Sequence, residues 1–190
     1  SKINLKFKFF NNKKLKLISV GRFTDQKNQM LILEAIKYLA NKIPIKVLIA
    51  GKGNEFSKLN SFINKNRLNE NVKLLDFLPN PYNFIKKADV VILSSNYEGL
   101  PNVLLEAQCL KKIILSTKCP TGPKEILMNG RAGIFFKMND YKDLAKKIYY
   151  INKNKTILKK KTLIGYNNLH RFDQETNLNK YYSILKKYLI

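Results

Sequence analysis

Two acidic residues flank the start of a predicted helix in the segment NYEGLPNVLLEAQ, residues 96–108. Glu98 precedes the turn Gly-Leu-Pro-Asn, and Glu106 follows it eight positions later in a lysine-rich chain. Pro101 suits the first position of a helix, so the backbone N–H groups around Leu100 to Val103 are expected to point outward and to favour an anion. At 1.5 Å per residue, Glu106 lies about 7.5 Å beyond Pro101 along that helix.

This spacing fits a ligand with a charged centre and a hydroxyl-bearing ring on each side. Carboxylates accept hydrogen bonds from sugar diols, and a diphosphate flanked by two sugars is a nucleotide sugar. The plainer alternative is that Glu98 stabilises the helix dipole while Glu106 is an ordinary surface acid. Taken alone, the two acids favour that alternative.

A second group of charged residues follows the first predicted strand, in the segment GRFTDQKN. Gly21, Arg22 and Lys27 come where a helix is predicted to begin, and cations at a helix N-terminus are unfavourable unless an anion binds there. Arg22 and Lys27 are therefore candidates for a phosphate clamp. The alternative, equally supported by these residues, is that Asp25 neutralises Arg22 while Lys27 extends into water.

Other motifs mainly exclude functions. Gly51 and Gly53 begin a G-x-G-x-x-G pattern, but Phe56 replaces the third glycine, so a tight strand-to-helix turn is the better interpretation. No P-loop pattern and no D-x-D pair occurs. One histidine and two cysteines in no ligand spacing predict neither a zinc site nor a disulfide framework. We therefore expect no metal and no cofactor, and we expect His170 to be a surface residue.

The net charge of +23 favours polyanions, anionic membrane surfaces or phosphorylated small molecules as partners. An alternative of equal weight is compositional, because lysine, asparagine and isoleucine are abundant throughout the chain. No apolar run approaches the roughly 18 to 20 residues that span a bilayer, and no signal-peptide pattern opens the sequence. We therefore expect a cytoplasmic protein.

Strands and helices are predicted to alternate along a single α/β domain. The predicted strands are apolar on both faces, which is typical of a parallel sheet covered by helices on each side. They span 15–20, 45–50, 72–75, 89–93, 113–116 and 133–136. Helices are predicted between them at 26–41, 55–67, 81–88, 102–110 and 124–128, and then at 141–152. The fold class is therefore α/β, a Rossmann-like doubly wound parallel sheet.

The two ends of the chain differ from this pattern. From residue 154 to residue 190 no strand is predicted, and two amphipathic helices are expected to close the domain. Residues 1–14 begin with alternating polar and apolar positions, so an edge strand and a linker both fit them.

Five blocks of sequence, in order, resemble the C-terminal, donor-binding half of retaining glycosyltransferases of the GT-B fold, family 4. The blocks are VGRFTDQKN, LIAGKGNEFSKL, VKLLDFLPN, ADVVILSSNYEGLPNVLLEAQ with its E-x7-E spacing, and CPTGPKEILMNGRAGIFF. The resemblance extends over roughly residues 15–147. The family usually has Gly-Phe-Gly after the first Glu, and Gly-Leu-Pro-Asn here is similar to a subset that acts on bacterial surface polysaccharides.

The resemblance implies roles for particular residues. Arg22 and Lys27, following Gly21, would hold the donor diphosphate, and Glu106 would bind the ribose hydroxyls. Glu98 would bind the hydroxyls of the donor sugar, with Glu98, Arg22 and Lys27 as the catalytic group. The remaining donor-binding positions, which act mainly through the backbone, are Gly99, Leu100, Pro101, Asn102 and Val103 beside the phosphates and sugar, and Phe77 and Leu78 beside the base.

The resemblance also implies the reaction. A UDP- or GDP-linked sugar would be transferred with retention, and without a metal, to a glycan or a lipid-linked acceptor. Peripheral contact with the inner face of an anionic cell membrane is a further expectation. The acceptor would lie on a separate N-terminal half, which these 190 residues lack because no second α/β unit is present. Two alternatives remain: a nucleotide-sugar epimerase with a similar fold, and a basic nucleic-acid-binding module. The latter lacks recognisable nucleic-acid-binding motifs.

Overall fold

The computed structural model describes residues 9–10 and 13–188. Six parallel strands form one sheet in the order β3-β2-β1-β4-β5-β6. The strands are β1 (Leu15–Val20), β2 (Ile45–Ala50), β3 (Val72–Leu75), β4 (Val90–Leu93), β5 (Ile113–Thr117) and β6 (Ile134–Phe136). Each begins and ends within one residue of its predicted position, and the expected doubly wound class is confirmed.

Helices cover both faces of this sheet. They are α1 (Gln29–Leu39), α2 (Phe56–Lys65), α3 (Tyr82–Lys87), α4 (Asn102–Cys109), α5 (Pro123–Ile126), α6 (Tyr141–Asn167) and α7 (Gln174–Lys186). One core layer packs α1, α2 and α6 on one face, and a second packs α3, α4 and α5 on the other. Every residue of β2 is buried, which is why this strand is apolar along its whole length apart from Lys46.

Two helix predictions differ most from the structure at their boundaries. Helix α1 begins at Gln29 and not at Gln26, because the Thr24 carbonyl accepts hydrogen bonds from the Lys27 and Asn28 amides and Asn28 adopts a left-handed φ of 46°. The predicted helix at 141–152 and the first closing helix form one helix, α6. A local break remains at Asn154, which has φ −125° and ψ 22°, while Ile151 and Leu158 on either side of it are both buried.

The N-terminal prediction falls largely on residues 1–8 and 11–12, which lie outside the described residues. Phe9 and Phe10 form a turn, and Phe10 is buried in the second core layer. Within the described ranges, β3 and β6 are the two edges of the sheet. No helix in the described part of the chain is long and apolar enough to cross a membrane.

The strand order creates a switch point between β1 and β4. The chain runs outward from β1 to β2 and β3, returns to β4 on the other side of β1, and then continues outward to β6. The loops that follow β1 and β4 therefore leave the sheet in opposite directions from adjacent positions. Ligands of open α/β sheets bind in this crevice, beyond the carboxyl ends of the strands.

Candidate functional site

An ion pair joins the two loops at the switch point. Lys27 follows β1 and Glu98 follows β4, and the Lys27 Nζ lies 2.5 Å from the Glu98 Oε1. The side chains are 17% and 6% exposed, so both charges are largely removed from water. An ammonium has three donors, so Lys27 can bind Glu98 and still offer donors to an anion.

Hydroxyl groups fix the position of Glu98. The Ser95 hydroxyl donates to the Glu98 Oε1 at 2.6 Å, and the Thr117 hydroxyl donates to the Ser95 carbonyl at 2.7 Å. The Thr121 hydroxyl, from the loop after β5, donates to the Glu98 carbonyl. Sequence reasoning assigned no role to Ser95 or Thr121, although a polar run directly after an apolar strand is a usable signal. The Glu98 carboxylate is therefore held in one position beyond the carboxyl end of β4.

The other predicted clamp residues lie beside Lys27. Arg22 is exposed, and its Nη2 donates to the Gln26 Oε1 at 3.3 Å. Within residues 9–10 and 13–188, no ion pair links Arg22 to Asp25, so the alternative in which Asp25 neutralises Arg22 lacks support. The aliphatic part of Lys27 packs over Gly21, where an added Cβ would lie 3.4 Å from the Lys27 Cδ.

The turn before α4 differs in one detail from its prediction. Pro101 caps α4 with φ −74° and ψ 97°, and Asn102 is the first helical residue, so the prediction that Pro101 opens the helix is wrong. The Leu104 amide donates to the Pro101 carbonyl, which closes the first turn. The amides of Asn102 and Val103 have no partner inside the helix because they belong to its first turn. They remain available to a ligand.

This turn is largely exposed to solvent, and the loop after β5 packs against it. Gly99, Leu100 and Asn102 are exposed, whereas Val103 is half-buried. Gly122 has a φ of 41°, and a Cβ at that position would lie 1.9 Å from the Gly99 carbonyl oxygen. Glycine is therefore required at 122, because the loop after β5 approaches the backbone of the turn more closely than any side chain permits.

Glu106 lies further along α4, apart from the Lys27–Glu98 pair. It is half-buried, and burial raises the pKa of its carboxyl group. In the described part of the chain, no hydrogen bond or ion pair is found for this carboxylate. The structure thus leaves Glu106 free for hydroxyl donors, but it does not bring Glu106 and Glu98 into contact.

The predicted base-binding residues follow β3, an edge strand that β2 separates from β1. Phe77 is exposed and Leu78 is half-buried against the second core layer. The Phe77 amide donates to the Asp76 Oδ1 at 2.8 Å, so this amide is already engaged. A cavity of about 370 Å³ lies at the ends of β2 and β3, lined by Gly51, Lys52, Gly53, Phe56, Leu74 and Asp76. Sequence reasoning treated the two glycines only as a turn.

The residues excluded from the chemistry lie elsewhere. His170 is exposed in a short 3₁₀ turn before α7, as expected of a surface residue. Cys109 is exposed and Cys119 is buried, and both are free thiols. Among the described residues, no group of three or more His, Cys, Asp and Glu side chains is placed to hold a metal ion.

Fold comparison defines the class of protein first. A glycosyltransferase from Rickettsia africae superposes with a TM-score of 0.86 at 21% identity, over 99% of this chain and 51% of that chain. Anabaena Alr3699/HepE, solved in complex with UDP, superposes with a TM-score of 0.86 at 20% identity, over 98% of this chain and 52% of that chain. The fold is therefore one Rossmann-like half of a GT-B glycosyltransferase.

Sequence comparison then identifies the family. The model for glycosyl transferases group 1 matches residues 1–171, and the chain belongs to this family. The capsular polysaccharide biosynthesis glycosyltransferase CapH of Staphylococcus aureus is 30% identical over 91% of the chain and 47% of its own length. An uncharacterized glycosyltransferase of Methanocaldococcus jannaschii is 42% identical over 58% of the chain and 27% of its own length. The chain thus spans less than half of either relative.

Proposed function

We propose that this chain binds a UDP- or GDP-linked sugar and takes part in its retaining, metal-independent transfer to a glycan or lipid-linked acceptor. The observation that carries the proposal is the Lys27–Glu98 ion pair at the switch point, just before the N-terminus of α4. It puts a cation suited to a diphosphate beside a carboxylate suited to sugar hydroxyls. Family membership supports the proposal, as do the known complexes of HepE with UDP and with UDP-glucose.

The catalytic group comprises Glu98, Arg22 and Lys27. As the bond between the anomeric carbon and the diphosphate oxygen breaks, negative charge grows on the leaving diphosphate, and the two cations stabilise it. Positive charge grows on the sugar ring, where the fixed Glu98 carboxylate holds the hydroxyls. The acceptor hydroxyl attacks from the side of the leaving group and passes its proton to the departing diphosphate oxygen, which gives retention without assigning Glu98 as a nucleophile.

The remaining donor contacts follow from the loops that reach the carboxyl edge. The backbone from Gly99 to Val103 binds phosphate or sugar, and Glu106 binds the ribose. Backbone groups near Phe77 and Leu78 bind the base, beside the cavity at the ends of β2 and β3. An N-terminal half with the acceptor site completes the enzyme, as the extra length of the relatives suggests.

Nucleotide binding is the direct test of this proposal. We expect UDP or GDP to raise the melting temperature of the chain, since a ligand that binds only the folded state stabilises it by mass action. A DNA or RNA oligonucleotide should have no effect at about 150 mM salt, where non-specific binding is weak. A shift with the oligonucleotide alone would favour the nucleic-acid-binding hypothesis, and no shift with any nucleoside diphosphate would contradict the proposal.

Calorimetry on Glu106→Ala refines the same test. Loss of the ribose contact should weaken nucleoside-diphosphate binding by about 10- to 100-fold, because a hydrogen bond to a charged group contributes roughly 1.5 to 3 kcal/mol. Glu125→Ala is the matched control, because Glu125 is an exposed acid on the neighbouring helix α5. Equal affinities of the two variants would remove Glu106 from the donor site.

The peripheral membrane contact that we propose has a specific face. One cavity on the α1 and α6 side is lined by lysines and tyrosines, namely Tyr38, Lys42, Lys142, Lys146 and Tyr149. Lys37 lines the adjoining cavity, where Glu34 is the one acid among the described lining residues. The Lys42 Nζ lies 3.3 Å from the Tyr38 ring centroid. Lysines attract anionic lipids, and tyrosines favour the headgroup region. We therefore propose that the protein works at the cytoplasmic face of the cell membrane.

Vesicle co-sedimentation tests this face. Replacing Lys37, Lys42, Lys142 and Lys146 with Gln should lower binding to anionic vesicles by more than about tenfold, since each lysine near the surface contributes about 1 kcal/mol. The control replaces four exposed lysines on other elements, namely Lys65, Lys73, Lys86 and Lys180. Equal losses in both variants would show that net charge, and not this face, governs binding.

A further inference from the structure

Three side chains hold the backbone carbonyls of the loop that carries Arg22 and Lys27. The Gln29 Nε2 donates to the Arg22 carbonyl at 2.8 Å, and the Ser94 hydroxyl donates to the Lys27 carbonyl at 2.7 Å. Asn96 donates two hydrogen bonds of 2.8 Å. Its side-chain Nδ2 donates to the Asp25 carbonyl, and its backbone N–H donates to the Gln26 carbonyl. Gln29, Ser94 and Asn96 lie outside this eight-residue loop, and they bind its carbonyls at Arg22, Asp25, Gln26 and Lys27.

Two of these donors lie beneath the loop. Gln29 is 2% exposed and Ser94 is 1% exposed, so the carbonyls that they bind must point into the protein. Carbonyl oxygens carry partial negative charge and would repel a phosphate group. With these carbonyls turned inward, the positively charged side chains of Arg22 and Lys27, and not carbonyl oxygens, are the groups that the loop offers to a phosphate.

The hydrogen bond from Gln29 to the Arg22 carbonyl comes at a cost to the stability of the folded state. Its Oε1 is buried without a hydrogen-bond partner among the described residues, as is the Thr24 hydroxyl oxygen in the same loop. A buried acceptor without a partner destabilises the folded state. An apolar side chain of the same length would avoid that cost, but it could not donate to the Arg22 carbonyl.

We infer that Gln29, Ser94 and Asn96 are positioning residues for diphosphate binding. They act through the loop and not by touching the ligand: they orient its carbonyls inward and so hold Arg22 and Lys27 in the geometry that binds an anion. This inference rests on the proposed function, and it extends that function to residues to which the resemblance gave no role. Its signature is a loss of affinity that depends on the number of phosphates in the ligand.

The test is calorimetry on Gln29→Met with UDP, GDP and ADP, and with UMP, GMP and AMP. For the base that binds, we expect diphosphate affinity to fall by about tenfold, as for the loss of one well-placed hydrogen bond, and monophosphate affinity to fall less. The melting temperature should change little, because the variant also removes the unpartnered Oε1. Ser94→Ala should likewise lose more diphosphate affinity than monophosphate affinity. Ser94→Thr keeps the hydroxyl and should bind these nucleotides as the unchanged chain does.

Gln108→Met is the matched control. Gln108 is also 2% exposed, and its Nε2 donates to the Ile126 carbonyl at 3.0 Å, outside the loop. We expect this variant to keep both affinities. If the unchanged chain binds a nucleoside diphosphate and Gln29→Met binds it equally well, or loses diphosphate and monophosphate affinity in equal measure, the inference is overturned and the proposed function stands. If the unchanged chain binds none of the nucleotides, both are overturned.

Discussion

Replacing Lys27 with methionine is expected to weaken nucleoside-diphosphate binding by about 10- to 100-fold, because a charge-assisted hydrogen bond contributes roughly 1.5 to 3 kcal/mol. The same change should lower the free energy of unfolding by about 3 kcal/mol, since it leaves the largely buried Glu98 carboxylate without its cation. Calorimetry and denaturant unfolding measure the two effects separately.

The double variant Lys27→Met/Glu98→Gln separates the effect on stability from the effect on nucleotide affinity. Removing both charges should restore much of the lost stability, because a neutral amide is far less costly to bury than a lone carboxylate. Nucleotide affinity should stay low, because the cation is still absent. Recovery of affinity together with stability would show that Lys27 only neutralises Glu98 and does not contact the diphosphate.

Lys155→Met provides the control for this comparison. Lys155 pairs with Asp89 at 3.0 Å, but the side chains are 36% and 27% exposed. Solvent screens such a pair, so its loss should cost less than about 1 kcal/mol and should leave nucleotide binding unchanged. A loss of stability as large as that of Lys27→Met would mean that burial of the Lys27–Glu98 pair has no special energetic role.

The sheet was predictable because local patterns determine it. Strands such as Ile45–Ala50 are short, apolar and rich in branched side chains, and turn residues bound them, so their ends followed from sequence alone. The start of α1 was less predictable, because the left-handed Asn28 depends on loop contacts with Asn96 and Asn139. The continuity of α6 past Asn154 likewise depends on tertiary packing of Ile151 and Leu158.

The residues of the candidate site could be predicted from the sequence, but the contacts between them could not. Lys27 and Glu98 could be selected from their loops, but their contact requires β4 to lie beside β1, and strand order cannot be read from hydrophobic pattern. The same holds for Thr121, which reaches Glu98 only because β5 lies next to β4. Gly122 could not be understood from sequence either, since its need for glycine comes from a backbone contact with Gly99.

The isolated chain is expected to bind nucleoside diphosphate weakly and to transfer no sugar. Its sheet is covered by its own helices on both faces, so it should fold alone. With one wall of the proposed cleft, we expect a Kd of about 10 μM to 1 mM. Transfer should be undetectable, because the acceptor site belongs to the proposed N-terminal half.

Incubation of the chain with radiolabelled UDP- and GDP-sugars and lipid-linked acceptors measures transfer directly, while calorimetry on the same sample verifies nucleotide binding. In the two-half enzyme, Glu98→Gln should lower kcat by about 100-fold or more with little change in KM, because Glu98 acts mainly as charge develops on the sugar. Glu106→Ala should instead raise KM, since the ribose is held equally in donor and product. Robust transfer by the isolated chain would require a complete active site within these 190 residues, and it would overturn the two-half proposal while leaving the Lys27–Glu98 site intact.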